Sequence, residues 1–292
     1  MSRRIITLLA AFVAVLGLTV LVPSTASAAA CAAAWNSSSV YTGGMTASHN
    51  GRNWQAKWWT QNETPGSAQV WADQGACGGG GGNPNPSGFV VSEAQFNQMF
   101  PNRNSFYSYS GLTSAMSAYP AFAKTGSDTV RKQEAAAFLA NVSHETGGLV
   151  HIVEQNTANY PHYCDWSQSY GCPAGQAAYY GRGPIQLSWN FNYKAAGDAL
   201  GIDLLGNPWR VERESAVAWK TGLWYWNTQS GPGTMTGHNA MVNQAGFGHS
   251  IRSINGSLEC DGKNPAQVQS RVNNYQRFAQ ILGVPTGGNL YC

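Results

Sequence analysis

The sequence predicts two domains of different class: a small all-β module and, after it, a larger, mainly helical domain. Between them, residues 78–88 read GGGGGNPNPSG and contain no apolar side chain that could bury itself. Such a segment cannot offset the entropy lost on ordering, so we predict a linker. The flanking segments of about 50 and about 200 residues have the lengths of a mini-domain and of one ordinary domain. We therefore expect a module at 30–77 and a helical domain at 89–292.

The N-terminal segment predicts a cleaved secretory signal at 1–29. Arg3 and Arg4 precede an apolar run at 5–22, and the small residues 26–28 (Ala-Ser-Ala) suit signal peptidase. An uncleaved anchor is the alternative, because the run approaches the length that spans a bilayer. Cleavage predicts a secreted, extracellular protein that is free of the membrane.

The segment at 30–77 has the pattern of short strands. Residues 40–42, 54–59 and 69–71 are β-prone, and Gly, Asn and Pro turn signals separate them. Neighbouring residues on a strand point to opposite faces, so Trp58 and Trp59 can both be exposed only where the strand twists or ends. One of them could instead be core, and Trp59, beside the turn, is the better candidate for exposure.

The segment after residue 88 has helical periodicity. Ser92 and Gln95 form an S-x-x-Q capping box that predicts a helix start. In the next helix Phe138, Val142 and Glu145 share one face, and two glycines follow. We predict helices beginning near residue 92 and at 129–145, 194–200, 212–227 and 267–282.

Composition narrows the ligand class. The chain has 17 Lys and Arg against 14 Asp and Glu, and loss of Arg3 and Arg4 with the signal leaves 15 against 14. A nucleic-acid partner is not expected, because it requires a basic surface. Charged residues make up 11% of the chain, against roughly 25% in typical proteins. The remaining polar and aromatic content fits either an uncharged, hydroxyl-rich ligand or a low-charge extracellular protein with its tryptophans in the core.

The six cysteines predict disulfides outside the cell. Six cysteines allow about 15 pairings, but here they fall into three groups that are local in sequence. We expect the pairs Cys31–Cys77, Cys164–Cys172 and Cys260–Cys292.

Glu145 is a candidate general acid. Partial burial and its position at a helix C-terminus both favour the protonated carboxyl group, which is the form that can donate a proton to a leaving oxygen. The alternative is a glutamate that only packs or pairs at a helix end.

His144 and Glu145 could begin an H-E-x-x-H zinc motif, but the second ligand position is Gly148. Motifs of serine hydrolases and nucleotide enzymes are also missing, so we expect neither metal nor cofactor.

Four stretches together resemble glycoside hydrolase family 19 chitinases. They are NVSHETGG at 141–148, YYGRGPIQLSWNFNY at 179–193, AWKTGLWYW at 218–226 and SINGSLEC at 253–260. The resemblance implies a mainly α, lysozyme-like catalytic domain with two lobes and a central cleft. It also implies hydrolysis of the β-1,4 bonds of chitin with inversion.

The same resemblance assigns roles to individual residues. Glu145 would be the general acid, Glu154 the general base, and Ser188 would hold the attacking water together with Glu154. Inversion requires the two carboxyl groups to be roughly 6.5–9.5 Å apart. The glutamates are only nine positions apart in the chain, which resembles the compact bacterial branch of the family. The family's sugar-binding positions correspond to Gln186, Asn192, Lys220 and Asn255, and its charged pair behind the acid to Glu259 and Arg271.

The small module resembles carbohydrate-binding modules of families 5 and 12 through its A-K-W-W-T run. This resemblance makes Trp58 and Trp59 a platform for sugar rings. The whole chain is thus expected to be a secreted, monomeric endo-chitinase that binds chitin and N-acetylglucosamine oligosaccharides. A muramidase acting on peptidoglycan and a chitin-binding lectin without activity are the alternatives.

Overall fold

The computed structural model describes residues 32, 33, 35–49, 52–77 and 88–292. The predicted signal at 1–29, Cys31 and the linker residues 78–87 lie outside this part of the chain. The chain divides into two compact units, Met1–Gly81 and Gly82–Cys292, and the division falls within the predicted linker.

The smaller unit is all β, as predicted. Its described strands form a two-stranded antiparallel sheet, β1 with β4, and a three-stranded antiparallel sheet in the order β2-β3-β5. Their bounds are β1 Val40–Tyr41, β2 Thr46–His49, β3 Arg52–Ala56, β4 Thr60–Gln61 and β5 Trp71–Ala76.

Two aromatic residues dominate the core of this unit. The rings of Tyr41 and Trp71 are both buried and meet edge to face, with centroids 5.1 Å apart. The indole N–H of Trp71 donates to the backbone oxygen of Glu63 at 2.8 Å, so the buried ring satisfies its polar atom. The strand expected at 54–59 is shorter than predicted, because the backbone bends after Ala56.

The larger unit is mainly helical. Its described helices are α1 Glu93–Met99, α2 Tyr109–Ala115, α3 Asp128–Thr146, α4 Asn190–Leu200, α5 Arg210–Arg213, α6 Ser215–Thr228, α7 Gly237–Val242, α8 Phe247–Glu259 and α9 Pro265–Ile281.

The predicted helices occur with altered bounds. The capping box of α1 is confirmed: Gln95 N–H donates to the Ser92 hydroxyl at 3.2 Å, and Ser92 N–H donates to the Gln95 side chain at 3.0 Å. The single helix predicted at 212–227 is wrong, because extended backbone at Glu214 divides α5 from α6. Helices α2, α7 and α8 were not predicted.

Helix α3 forms the centre of the larger unit. The hydroxyl of Ser127 accepts the N–H of Val130 at its start, and Gly147, with φ of 62°, ends it in the left-handed region that glycine adopts without strain. The helix is buried along most of its length and packs against α7, α8 and especially α9. Its last turn is therefore held rigidly.

Two hydrophobic clusters lie on either side of α6 and give this unit its two lobes. Phe138 and Trp219 belong to the first, whereas Tyr179, Tyr193 and Trp224 belong to the second. Because α6 contributes side chains to both clusters, it ties the two lobes together.

Disulfides join Cys164 to Cys172 and Cys260 to Cys292, which are two of the expected pairs. Cys77 is also disulfide-bonded, but Cys31, its predicted partner, lies outside the described residues. Within the described ranges, each helix is too short or too polar to cross a membrane.

Candidate active site

A cleft of about 520 Å³ in the larger unit contains most of the residues predicted for the site. Its lining also includes side chains that the sequence did not single out, among them His151, Tyr163, Trp189 and Tyr225. The predicted residues that line it are Glu145, Glu154, Gln186, Ser188, Asn192 and Asn255.

Glu145 occupies the last turn of α3 and enters the cleft half-buried. Phe138 and Val142, which precede it on the same helix face, are fully buried. Its carboxylate oxygen Oε1 forms an ion pair with Nη2 of Arg271. The predicted charged pair is therefore directly connected to the predicted acid.

Arg271 is buried, and it donates two hydrogen bonds to Glu259 but one to Glu145. Its Nε and Nη2 donate to the two carboxylate oxygens of Glu259 at 2.8 and 2.7 Å, and its Nη1 donates to Asn141 at 3.1 Å. Burial would raise the pKa of Glu259, but the hydrogen bonds and charge of Arg271 outweigh it and lower that pKa. Glu259 thus carries the charge that balances Arg271 within this buried network.

Asn255 links this network to the cleft wall. The backbone of α8 leaves helical geometry there, with φ of −141° and ψ of 28°. The Asn255 amide donates to Glu259 Oε1 at 2.7 Å while the residue lines the cleft. The distortion therefore places an amide group where a bound sugar can reach it.

Glu154 is positioned by three short extended segments. Its N–H donates to the oxygen of Gly181 at 2.9 Å, and Gly183 N–H donates to the oxygen of Ile152 at 2.8 Å. Arg182 and Leu187 exchange both backbone hydrogen bonds, which adds the third segment. These pairings bring residues 152–154 beside the loop that carries Gln186 and Ser188.

Neutral donors hold the carboxylate of Glu154. Its Oε1 accepts hydrogen bonds from the Asn159 amide at 2.7 Å and from the Tyr163 hydroxyl at 3.0 Å. Its Oε2 accepts a long bond of 3.4 Å from Gly181 N–H. Burial, reinforced by Glu154 itself, raises the pKa of Tyr163 to about 12, so this hydroxyl remains a donor. Oε2 is consequently the oxygen less occupied by the protein.

Gly181 separates Glu154 from the other polar groups of this wall. A Cβ atom at this position would lie 3.0 Å from Gln186 Oε1 and 3.3 Å from Ser188 Oγ. The Ser188 hydroxyl donates to the backbone oxygen of Gln186 at 2.9 Å, and the amide of Asn192 donates to the oxygen of Ser188 at 3.0 Å. Glu154, Gln186 and Ser188 are thus neighbours across one glycine.

A column of stacked groups supports the backbone of Glu154. The Arg182 guanidinium lies 3.5 Å over the ring of Tyr180, which stacks on Tyr160 at 3.7 Å. The Tyr160 hydroxyl donates to the backbone oxygen of Glu154 at 2.9 Å, and Glu212 binds Arg182 at 2.7 Å. Tyr180 and Arg182 belong to the sequence motif at 179–193, but their contacts with Tyr160 and Glu212 are apparent only from the fold.

Lys220 is not among the residues that line the cleft. It lies half-buried on α6, and within the described chain its amine makes neither a hydrogen bond nor an ion pair. The sugar-binding role expected for it stays a prediction.

His144 lies beside Glu145 in the last turn of α3. Its ring nitrogens hydrogen-bond with Ser270 and Gln267, both at 3.0 Å. Throughout residues 88–292 and the described parts of the smaller unit, there is no cluster of three His, Cys, Asp or Glu side chains that could hold a metal ion.

The smaller unit exposes both neighbouring tryptophans. The exposed fractions of Trp58 and Trp59 are 55% and 60%. Both follow the end of β3 at Ala56, where the strand alternation no longer applies. The rings of Trp58 and Trp59 are therefore both exposed, and neither belongs to the core.

Two carboxyl groups in one cleft, on a mainly helical, two-lobed, lysozyme-like fold, define a glycoside hydrolase domain. The model of the family described as chitinase class I matches residues 90–292, and that of carbohydrate-binding module family 5/12 matches residues 34–72. The chain belongs to glycoside hydrolase family 19.

Known proteins and structures agree with this membership. The chain is 48% identical to endochitinase B of Zea mays over 188 residues, which cover 64% of this chain and 63% of that protein. It thus spans just under two thirds of that relative. The crystal structure of chitinase C from Streptomyces griseus HUT6037 superposes with a TM-score of 0.69 at 76% identity, covering 90% of this chain and all of the other. A class IV family 19 chitinase from Zea mays gives 0.62 at 44% identity, covering 70% and 98%.

Proposed function

We propose that the protein is an endo-chitinase that hydrolyses β-1,4 bonds between N-acetylglucosamine units by a single displacement with inversion. The observation that carries this proposal is the placement of Glu145 and Glu154, with Ser188, in one cleft. The names of the relatives and the chitin-binding type of the smaller unit support chitin as the substrate.

In the proposed reaction Glu145 donates a proton to the glycosidic oxygen as the bond to the anomeric carbon breaks. Glu154, through Oε2, takes a proton from a water molecule that Ser188 helps to hold, and the water oxygen bonds to the anomeric carbon from the opposite face. Glu145 ends ionised and Glu154 protonated. Arg271 favours the product state, because it contacts the carboxylate that has lost its proton.

Replacement of the acid tests the proposal. We expect Glu145→Gln to lower the rate of hydrolysis of chitin oligosaccharides by about 100-fold or more, the usual contribution of a general acid, while binding to insoluble chitin is unchanged. Glu214→Gln, which alters an exposed glutamate paired with Arg210, is the matched control and should keep full activity. Turnover by Glu145→Gln within tenfold of the wild type would contradict the assignment.

Two further measurements test the stereochemistry of the reaction and the choice of substrate separately. Proton NMR of fresh products should show the α-anomer first, whereas the β-anomer would indicate retention and rule out direct attack by water. Colloidal chitin should be hydrolysed in preference to purified bacterial cell wall, and the opposite preference would favour the muramidase alternative.

We also propose that the protein is secreted and that its smaller unit anchors it to insoluble chitin. The signal-like N-terminus and the disulfides of the larger unit support export to an oxidising environment. The two exposed tryptophans support the anchoring role.

A further inference from the structure

Trp166 is the most exposed aromatic side chain among the described residues of the larger unit. Its exposed fraction is 64%, whereas Trp219, Trp224 and Trp226 in the same unit are buried. Leaving an indole in water forgoes the stabilisation that burial would give. An exposed ring of this size is a candidate binding surface where the backbone holds it in place.

The loop that carries Trp166 is fixed on both sides of the ring. The Cys164–Cys172 disulfide closes it. The side chain of Asn190 accepts the N–H of Asp165 at 3.0 Å and donates to the oxygens of Asp165 and Gly171 at 3.0 and 2.9 Å. A ligand that binds such a loop loses little affinity to ordering it.

The same loop is attached to the wall of the cleft on the side of Glu154. It begins directly after Tyr163, which lines the cleft and donates to Glu154. It is anchored by Asn190, which directly follows the cleft residue Trp189. The rings of Tyr163 and Trp189 meet edge to face at 5.6 Å. Trp166 lies three residues after Tyr163, so their Cα atoms are at most about 11 Å apart.

The surroundings of Trp166 favour a neutral, hydroxyl-rich ligand. Ser167 and Gln168 follow it in the loop, and the carboxylate of Asp165 accepts hydrogen bonds from both of them at 2.6–2.9 Å. The nearby charge is therefore engaged within the loop, and the open ring presents an apolar face beside polar groups. A sugar ring has the same combination of an apolar face and a polar rim.

We propose that Trp166 is an outer stacking platform for N-acetylglucosamine units of a chitin chain that extends beyond the cleft on the side of Glu154. The proposal rests on the proposed chitinase function and adds a binding position in the disulfide loop to it. It predicts that Trp166 contributes only when the substrate is long enough to leave the cleft.

Substrate length is the variable that tests this proposal. With the full-length protein, kcat/KM is measured on the shortest soluble N-acetylglucosamine oligosaccharide that the wild type hydrolyses and on the soluble polymer glycol chitin. We expect Trp166→Ala to lower kcat/KM on the polymer by about fivefold to tenfold, as loss of one aromatic contact predicts, with the short substrate unchanged. Trp166→Phe, which keeps a ring, should recover part of the loss.

Tyr291→Ala is the matched control, because Tyr291 is exposed to a similar extent, 56%, and is not among the residues that line the cleft. It should behave as the wild type on both substrates. An unchanged polymer rate in Trp166→Ala, or an equal loss on both substrates, would overturn the platform. Failure of the wild type to cleave any N-acetylglucosamine oligosaccharide would instead overturn the proposed function.

Discussion

The two carboxyl groups of the cleft have partners of different kinds. Glu145 shares a buried guanidinium with Glu259, whereas Glu154 is bound by an amide, a phenol and a backbone N–H. Arg271 contacts the carboxylate that Glu145 becomes once it has donated its proton, which fits the role proposed for the acid. The partners of Glu154 mainly occupy Oε1 and leave Oε2 the more accessible oxygen, which fits the role proposed for the base.

Tyr163 offers a test of how Glu154 is held. Tyr163→Phe removes a hydroxyl that donates to Glu154 Oε1 at 3.0 Å. Since this hydrogen bond fixes the orientation of the proposed base, its loss should lower kcat on chitin oligosaccharides by about threefold to tenfold, which corresponds to roughly 1 kcal/mol.

Tyr170→Phe is the control for that variant, because the Tyr170 hydroxyl donates to Gln168 at 3.1 Å and lies in a different hydrogen-bond network. Its kcat should match that of the wild type. If the two phenylalanine variants have the same kcat, Tyr163 does not position the base.

A buried carboxylate connects α3 to α6 and α7. Glu134 of α3 accepts hydrogen bonds from Trp226 at 3.1 Å, from His238 at 2.6 Å and from the N–H of Ala123 at 2.9 Å. Glu134 is fully buried, so these three donors supply the hydrogen bonds that water would otherwise make. The packing of α7 against the central helix is thus coupled to the protonation of His238.

We expect this contact to make stability depend on pH. The hydrogen bond to Glu134, outweighing burial, raises the pKa of His238 above the value of about 6.5 for an unfolded chain. The stabilisation is therefore complete below about pH 6.5 and is lost as the pH rises through the higher pKa of the folded state. Over that window the Tm of the wild type should fall by about 2–4 °C more than that of His238→Gln, the shift that 1 kcal/mol produces in a domain of this size.

The control is His162→Gln, which removes an exposed histidine from the same unit. Its Tm should follow the wild-type curve across the pH series. Parallel curves for the wild type and His238→Gln would show that the pair with Glu134 contributes no pH-dependent stability.

The helices show how much of the fold could be predicted from the sequence. Capping residues and apolar periodicity were sufficient for α1, α3 and α9, because these signals act within one helix. They failed at Glu214, where an extended residue divides α5 from α6, and at α8, where the helix continues past the irregular Asn255. Such features depend on packing between elements, which a local sequence pattern does not encode.

The same limit applies to the site. Glu145, Glu154 and Ser188 were identified from motifs, and the structure brings them to one cleft. The supports of Glu154, among them Tyr160 and Tyr163, were missed because hydrogen bonds between loop residues have no sequence period. Lys220 lies outside the residues that line the cleft, and its expected contact with the sugars stays a prediction.

The chain has two units, and a glycine-rich segment joins them in sequence. This organisation predicts that the smaller unit binds the substrate and the larger unit cleaves it. A tethered binding module raises the local concentration of an insoluble substrate and leaves that of a soluble substrate unchanged. The double variant Trp58→Ala/Trp59→Ala should therefore weaken binding to insoluble chitin by about tenfold or more, since two exposed rings are lost.

Hydrolysis of insoluble chitin by this variant should fall with its binding, whereas kcat/KM on soluble oligosaccharides should equal that of the wild type. Val40→Thr changes another exposed apolar side chain of the same unit, 45% exposed, and keeps a β-branched residue in β1. This control should retain binding and both activities. Pull-down on chitin and product release from both substrates measure these quantities. Retained binding by the double variant would place the anchoring surface elsewhere, and an equal loss on soluble substrate would mean that the unit contributes to cleavage itself.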